Sequence, residues 1–222
     1  MKILALDTTG EFGSIALEDQ GALVAEAHLH SADGFAHVIF HEIDSLLSRV
    51  GWKAAGIDCF AAASGPGSFT GVRVGLAAVK GLAEALGKPV AAVSKLRALA
   101  HFGSAERRVV MIDARRGEIY AAVYDSALRP IIPDTITKLS AWLRSLDSGA
   151  YEFITLAGDG LEASLAGTQF AEMKYTGAPR SIAPAVAFCA RRDALNGNLV
   201  SPLVADANYV RRSDAELFWK DR

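Results

Sequence analysis

The stretch SGPGSFTGVRVGLAAVKGLAEAL, residues 64–86, constrains the fold more than any other part of this chain. A Gly-Pro-Gly turn opens straight into a helical pattern that stops at Gly87, a residue suited to a helix C-cap. Gly71 and Gly75 stand one turn apart in that helix, and Ala78, Leu82 and Ala85 continue roughly the same side. Glycine inside a helix costs roughly 0.5–1 kcal/mol against alanine, so a pair of them marks a place where something must come close. One such visitor is an anion, because the first amides of a helix are unpaired and lie at its positive end. Ser68 or Thr70 can cap those same amides with a side-chain oxygen. The spacing is neither G-x-x-x-x-G-K-[ST], since Lys80 comes too late, nor G-x-G-x-x-G of a dinucleotide unit. Close packing suits the glycines better than a phosphate; whether the neighbour lies in this chain or in a partner stays open.

The flanking sequence places this helix in an α/β chain. KILALD, GSIALED and ALVAEAHLH read as three strands on short connections, an antiparallel meander. In residues 35–50, Phe35, Ile39, Ile43, Leu46, Leu47 and Val50 recur at helical spacing. IDCFAAAS and PVAAVS are strands on either side of the glycine-bearing helix, giving β-β-β-α-β-α-β for the first half. RRVVMIDA, GEIYAAVYD and LRPII open the second half in the same way, followed by the helix KLSAWLRSL, the strand YEFITLAG and a helix near residues 183–195. Similar element order without an alignable repeat predicts two stacked ribonuclease-H-like lobes, divided as residues 1–102 and 103–222. The end of the chain reads as an irregular, partly docked tail.

With 222 residues and 51% hydrophobic side chains, a large core is within reach. A net charge of −2 lacks the basic balance of a self-sufficient nucleic-acid binder. Cys59 and Cys189 are far apart and sit in apolar surroundings, which fits reduced thiols in a cytoplasmic protein. MKILALDTT is interrupted by Asp7 too soon for a signal peptide, and no apolar run reaches the ~18 residues of a membrane span.

LALDTT near the start, ASGPGSFTGVRVGLAAVKGLA, MIDARRGEIYAAVYD and NYVRR follow one another in an order that resembles the bacterial TsaB (YeaZ) family of tRNA threonylcarbamoyladenosine biosynthesis proteins. The resemblance covers nearly the whole chain and implies the actin/hexokinase/Hsp70 superfold. It further implies a non-catalytic subunit that dimerises with the related catalytic protein TsaD. Together with the ATPase TsaE, such a pair supports threonylcarbamoyl transfer to the adenosine next to the anticodon of tRNA. Homodimers are implied when the partner is missing. In TsaD-like proteins an H-x-x-x-H metal motif follows the strand after the glycine-bearing helix; here Lys95 and Leu99 stand there, and no metal is expected. Ala114-Arg115-Arg116-Gly117 replaces the Ser-Gly-Gly turn of those relatives. The implied partner interface comprises His37, Ile39, His41, Ile43 and Leu47 of one helix with Gly71, Val74, Gly75 and Ala78 of the other.

Further residues invite chemical readings. Asp7, Thr8 and Thr9, with Gly158 and Gly160 of the second lobe, are placed where this superfold holds nucleotide phosphates, so they mark a weak, vestigial site or plain turn chemistry. No cofactor is expected beyond ATP or ADP at the partner interface. His37 and His41 form H-x-x-x-H on one helix face, and a zinc site would need a third ligand such as His28 or His30. Arg115, Arg116, Arg211 and Arg212 can meet tRNA phosphates or acidic partner surfaces. The alternative to a scaffold is a small ATPase or phosphotransferase clamping nucleotide between the lobes; a zinc peptidase is the third reading.

Overall fold

Strands β1 (Lys2–Asp7) and β2 (Phe12–Asp19) pair antiparallel, Leu4 opposite Leu17 and Leu6 opposite Ile15. The computed structural model describes residues 1–30 and 34–210. β3 (Ala22–His30) adds antiparallel to β2, while β4 (Cys59–Ala63) and β5 (Val90–Val93) extend the sheet in parallel on the other side of β1. The order is β3-β2-β1-β4-β5. β4 and residues 3–6 of β1 are apolar throughout because both faces are covered. Ile3, Ala5, Cys59 and Ala61 join one core cluster; Leu4, Leu6, Phe60 and Ala62 join the other.

Helices α1 (Ile39–Arg49) and α2 (Phe69–Leu86) cover the second of these faces. α1 starts a turn later than its periodicity predicts, because residues 35–38 form a hydrogen-bonded turn with Phe35 inserted beside Gly13. In α2 the Ser68 side chain accepts the Gly71 amide, and Gly87 ends the helix at φ 63° while donating to Ala83.

The second sheet repeats the plan with β6 (Arg107–Asp113), β7 (Glu118–Asp125), β8 (Pro130–Lys138), β9 (Glu152–Leu156) and β10 (Lys174–Ala178) in the order β10-β9-β6-β7-β8. Counted within each half, both sheets run third, second, first, fourth, fifth. α4 (Leu139–Ser145) packs against β7 and β8. Three features escape the sequence reading. β10 is a half-exposed edge strand with little apolar signal; α3 (Lys95–Ala100) is only six residues long; and β8 runs on past LRPII to Lys138.

The lobes are joined by a shared core. α3 packs on β6, β7 and β9 of the second sheet, and its buried residues share a cluster with Ile3, Val110, Ala122 and Ile154. α5 (Ala183–Leu195) packs on β1, β2, β4 and β5, so this helix, assigned by the 102/103 division to the second lobe, belongs by contact to the first. Ser14 Oγ accepts the Ala183 amide at 3.0 Å, and Arg191 pairs with Glu18 at 3.0 Å, fixing α5 across the first sheet. The chain then returns along that lobe, with Val200 bonded antiparallel to Val90 at 2.8 and 3.0 Å.

Candidate functional site

β1 delivers Asp7, Thr8 and Thr9 to its carboxyl end, and all three are almost fully buried. Asp7 Oδ1 accepts the Thr9 amide at 2.9 Å and the Thr9 hydroxyl at 2.6 Å. Thr8 Oγ1 donates to the carbonyl of Gly71 at 2.7 Å, and Ser68 N donates to the carbonyl of Thr9 at 2.8 Å. Both threonine hydroxyls are therefore engaged inside the chain, where a phosphate loop would present them outward. Ser68 is occupied in capping α2 at 3.3 Å.

This contact settles what the glycines are for. A Cβ added at Gly71 would stand 2.0 Å from Thr8 O; at Gly67 it would stand 2.4 Å from Thr9 O, and at Gly75 2.5 Å from Thr8 Oγ1. The close neighbour is the loop after β1 of the same chain. Gly71 and Gly75, together with Ile39, Ile43, Leu47 and Ala78, are buried in this chain's own core and offer no surface to a partner, contrary to the sequence expectation. The cause lies in the helical stripe: the apolar side of α1 and the smooth side of α2 both face the first sheet. Of the expected interface residues, His37 and His41 are exposed and Val74 is half-buried.

The outward side of the helices carries other residues that sequence periodicity hides. Phe40 is 54% exposed on α1 and Phe69 43% exposed at the start of α2. Residues 201–209 run alongside α2: Arg73 stacks 3.6 Å above the Phe69 ring and donates to Tyr209 Oη at 2.9 Å, while Lys80 donates to the Ala205 carbonyl at 2.7 Å. Between them lies a shallow groove floored by Leu76 and Ala77.

Among the described residues, Gly158 and Gly160 of the second lobe do not join Asp7, Thr8 and Thr9 by any hydrogen bond. Gly158 and Gly160 turn the chain after β9 with φ 78° and 79°, and Asp159 between them accepts from Thr155 Oγ1 and the Leu161 amide, both at 3.0 Å. In the β6–β7 turn, Arg115, Arg116 and Gly117 all take left-handed φ of 64°, 57° and 74°. Two consecutive arginines in that region carry backbone strain and hold their side chains out toward solvent. Arg211 and Arg212 lie outside the described residues. His28 and His30 are exposed on β3, and among the described residues no three metal-capable side chains converge. Leu99 is fully buried, and Lys95 is 5% exposed.

An acidic junction ties the lobes together, and no motif in the sequence announces it. Asp134 of β8 accepts Ser94 Oγ, Tyr124 Oη and Asn208 Nδ2, each at 2.6 Å, thereby tying the α3 cap, the second sheet and the returning chain together. Burial first, and then the Asp134 carboxylate, push the Tyr124 phenol well above its usual range. Arg97 adds a bond from α3 to Asp193 of α5 at 2.9 Å.

A family described as TsaD, tRNA N6-adenosine threonylcarbamoyltransferase, has a model that matches residues 30–205. The chain belongs to that family. Within reach of the TsaD family it is similar to the tRNA threonylcarbamoyladenosine biosynthesis protein TsaB of Bacillus subtilis (strain 168), 33% identical over 151 residues. That stretch is 66% of this chain and 66% of the relative, so the chain spans just under two thirds of the relative's length. The solved structure of YeaZ from Pseudomonas aeruginosa superposes with a TM-score of 0.77 at 26% identity, covering 94% of this chain and 99% of that one. Component A of Acidaminococcus fermentans (R)-2-hydroxyglutaryl-CoA dehydratase shares the fold alone, at 8% identity, a TM-score of 0.55 and coverage of 88% and 99%. The resemblance read from the motifs and the two-lobed actin/hexokinase/Hsp70 architecture are both confirmed. Among the described residues no helix is long and apolar enough to cross a membrane.

Proposed function

We propose that this chain is the non-catalytic subunit of a tRNA threonylcarbamoyladenosine modification complex in the cytoplasm. It pairs with a TsaD-like catalytic subunit, which transfers threonylcarbamoyl to the adenosine beside the anticodon, and it helps to form the surface met by a TsaE-like ATPase and tRNA. The observation that carries the reading is the closed loop after β1: Thr8 and Thr9 turn their hydroxyls to Gly71 and Asp7, leaving neither for a nucleotide phosphate. The family match and the TsaB relative supply the biological setting. The partner contact moves from the buried stripe to the outward sides of α1, the turn before it and α2, where His37, Phe40, His41, Phe69 and Ala77 are exposed. Two copies of the chain meet by the same faces when the partner is missing.

Mass measurement of the purified chain, alone and mixed with a TsaD-like protein, tests the pairing. The double variant Phe40→Asp, Ala77→Glu is expected to weaken the complex about a hundredfold, since a charge forced into a desolvated contact lacks a partner. Full affinity in that variant, with its melting temperature unchanged, sinks the interface. Calorimetry with ATP and ADP on the isolated chain tests the enzyme alternative, which requires heat that Asp7→Asn abolishes.

A further inference from the structure

The two lobes share a strand order but not the covering of their outer faces. In the first lobe the connection from β4 to β5 carries α2, a helix of 18 residues. In the second lobe the matching connection, residues 157–173 from β9 to β10, holds only a 3₁₀ turn at Glu162–Leu165. With no long helix there, α4 and this connection leave a cleft of about 570 Å³ between them. The cleft lies on the side of the second sheet turned away from the lobe junction. Val109, Met111 and Ile119 face that side with Phe170, whereas Val110, Ile112 and Ala122 face the core shared with α3. It is thus separate from the outward sides of α1 and α2, which belong to the first lobe.

A cleft of that volume suits a small organic molecule. Its lining is patterned along α4. Leu139 and Leu143 lie one turn apart, and so do Ser140 and Arg144, so an apolar row and a polar row run side by side along it. Opposite them Phe170, almost fully buried, adds to the apolar part. Thr168 shapes that wall: its hydroxyl donates to the Leu165 carbonyl at 2.7 Å and accepts the Phe170 amide at 3.1 Å. This turn holds Phe170 inward and leaves Ser164 and Gln169 at the exposed rim.

Arg144 is the one charged residue of the lining, and its guanidinium makes no hydrogen bond or ion pair among the described residues. An unpaired arginine is ordinary on an open surface. At the rim of a partly apolar cleft whose lining holds no carboxylate, it selects the charge of what enters. One guanidinium meets one carboxylate in two parallel hydrogen bonds. A phosphate monoester would bring close to two negative charges to a lining that supplies one positive. We propose that this cleft binds a small organic acid, its carboxylate held by Arg144 and its apolar ring or short acyl body lying between Leu139, Leu143 and Phe170. The site goes beyond the pairing with a catalytic subunit, and its test leaves that pairing untouched.

Amide NMR of the full chain tests it with a matched pair of probes, sodium naphthaleneacetate and the neutral naphthaleneacetamide. The Leu143, Arg144, Gln169 and Phe170 amides are expected to shift together with the acid and saturate on the order of 1 mM, as a ligand of this size allows. The neutral probe is expected to bind at least about tenfold more weakly. Arg144→Gln should bring the acid down to the level of the neutral probe. Ser164→Trp, which fills the cleft from an exposed position, should remove both responses. That pattern supports the site. Absence of saturation with the acid, equal binding of the two probes by the wild type, or a wild-type response in either variant overturns it. Should a variant fail to fold, the wild-type comparison of the two probes decides alone.

Discussion

Two glycines in one helix are expected to respond in opposite directions to the same substitution. A methyl group at Gly71 would lie 2.0 Å from the Thr8 carbonyl oxygen, which no rotamer change relieves because the obstacle is backbone. Separating α2 from the loop breaks the 2.7 Å bond from Thr8 Oγ1 to Gly71 O and strands a buried hydroxyl. Overpacking costs about 1–3 kcal/mol and the lost hydrogen bond about 1 kcal/mol more, against about 1 kcal/mol regained from alanine's helix propensity. Gly71→Ala should therefore destabilise the chain by about 2–3 kcal/mol. Gly81 lies exposed in the same helix with nothing within 4 Å of an added Cβ, so Gly81→Ala keeps the propensity gain and should stabilise by about 0.5–1 kcal/mol. Urea unfolding of both variants beside the wild type reads the difference as a shift in midpoint at constant slope. If Gly71→Ala unfolds at or above the wild-type midpoint, the claim that these glycines serve the chain's own loop is wrong. The same reasoning warns that Gly75 variants, with an added Cβ 2.5 Å from Thr8 Oγ1, confound partner binding with folding.

The Glu152 carboxyl is held at about 2: burial pushes it up, but hydrogen bonds from Thr176, Ala105 and Ser104 and the Lys174 ammonium outweigh that. A folded value below the unfolded 4.5 means that its stabilisation, roughly 3 kcal/mol, is complete above pH 4.5 and fades as pH falls toward 2. Glu152→Gln should thus lose stability at pH 7 and converge on the wild type near pH 2; a constant gap across that range refutes the assignment. Burial raises both Cys59 and Cys189 to about 12, so neither thiol should react with a disulfide reagent at pH 8 until urea opens the chain, and fast native labelling would contradict the packing. Asp134→Ala removes the acceptor of three donors, one of them on the buried Tyr124, and should cost about 2–4 kcal/mol and speed amide exchange in α3. Unchanged exchange in α3 would show that the junction does not hold the lobes.

Local patterns carried much of this protein in the sequence itself. The two-lobed order of strands and helices, the inward faces of α1 and the Gly87 cap follow from periodicity and backbone freedom, which act over a few residues. A pair of glycines likewise announces a close approach, because only steric need offsets their cost in a helix. What lies against them is a matter of distance in space, and only the tertiary structure brings Thr8 to Gly71 across 63 residues. The same limit hid the placement of α5 on the first sheet, since a helix's amphipathic stripe says that it is covered and not by which strand. It hid the answering of charges as well: nothing in the letters says that Asp134 meets three donors from three separate parts of the chain, and burial and geometry alone show it.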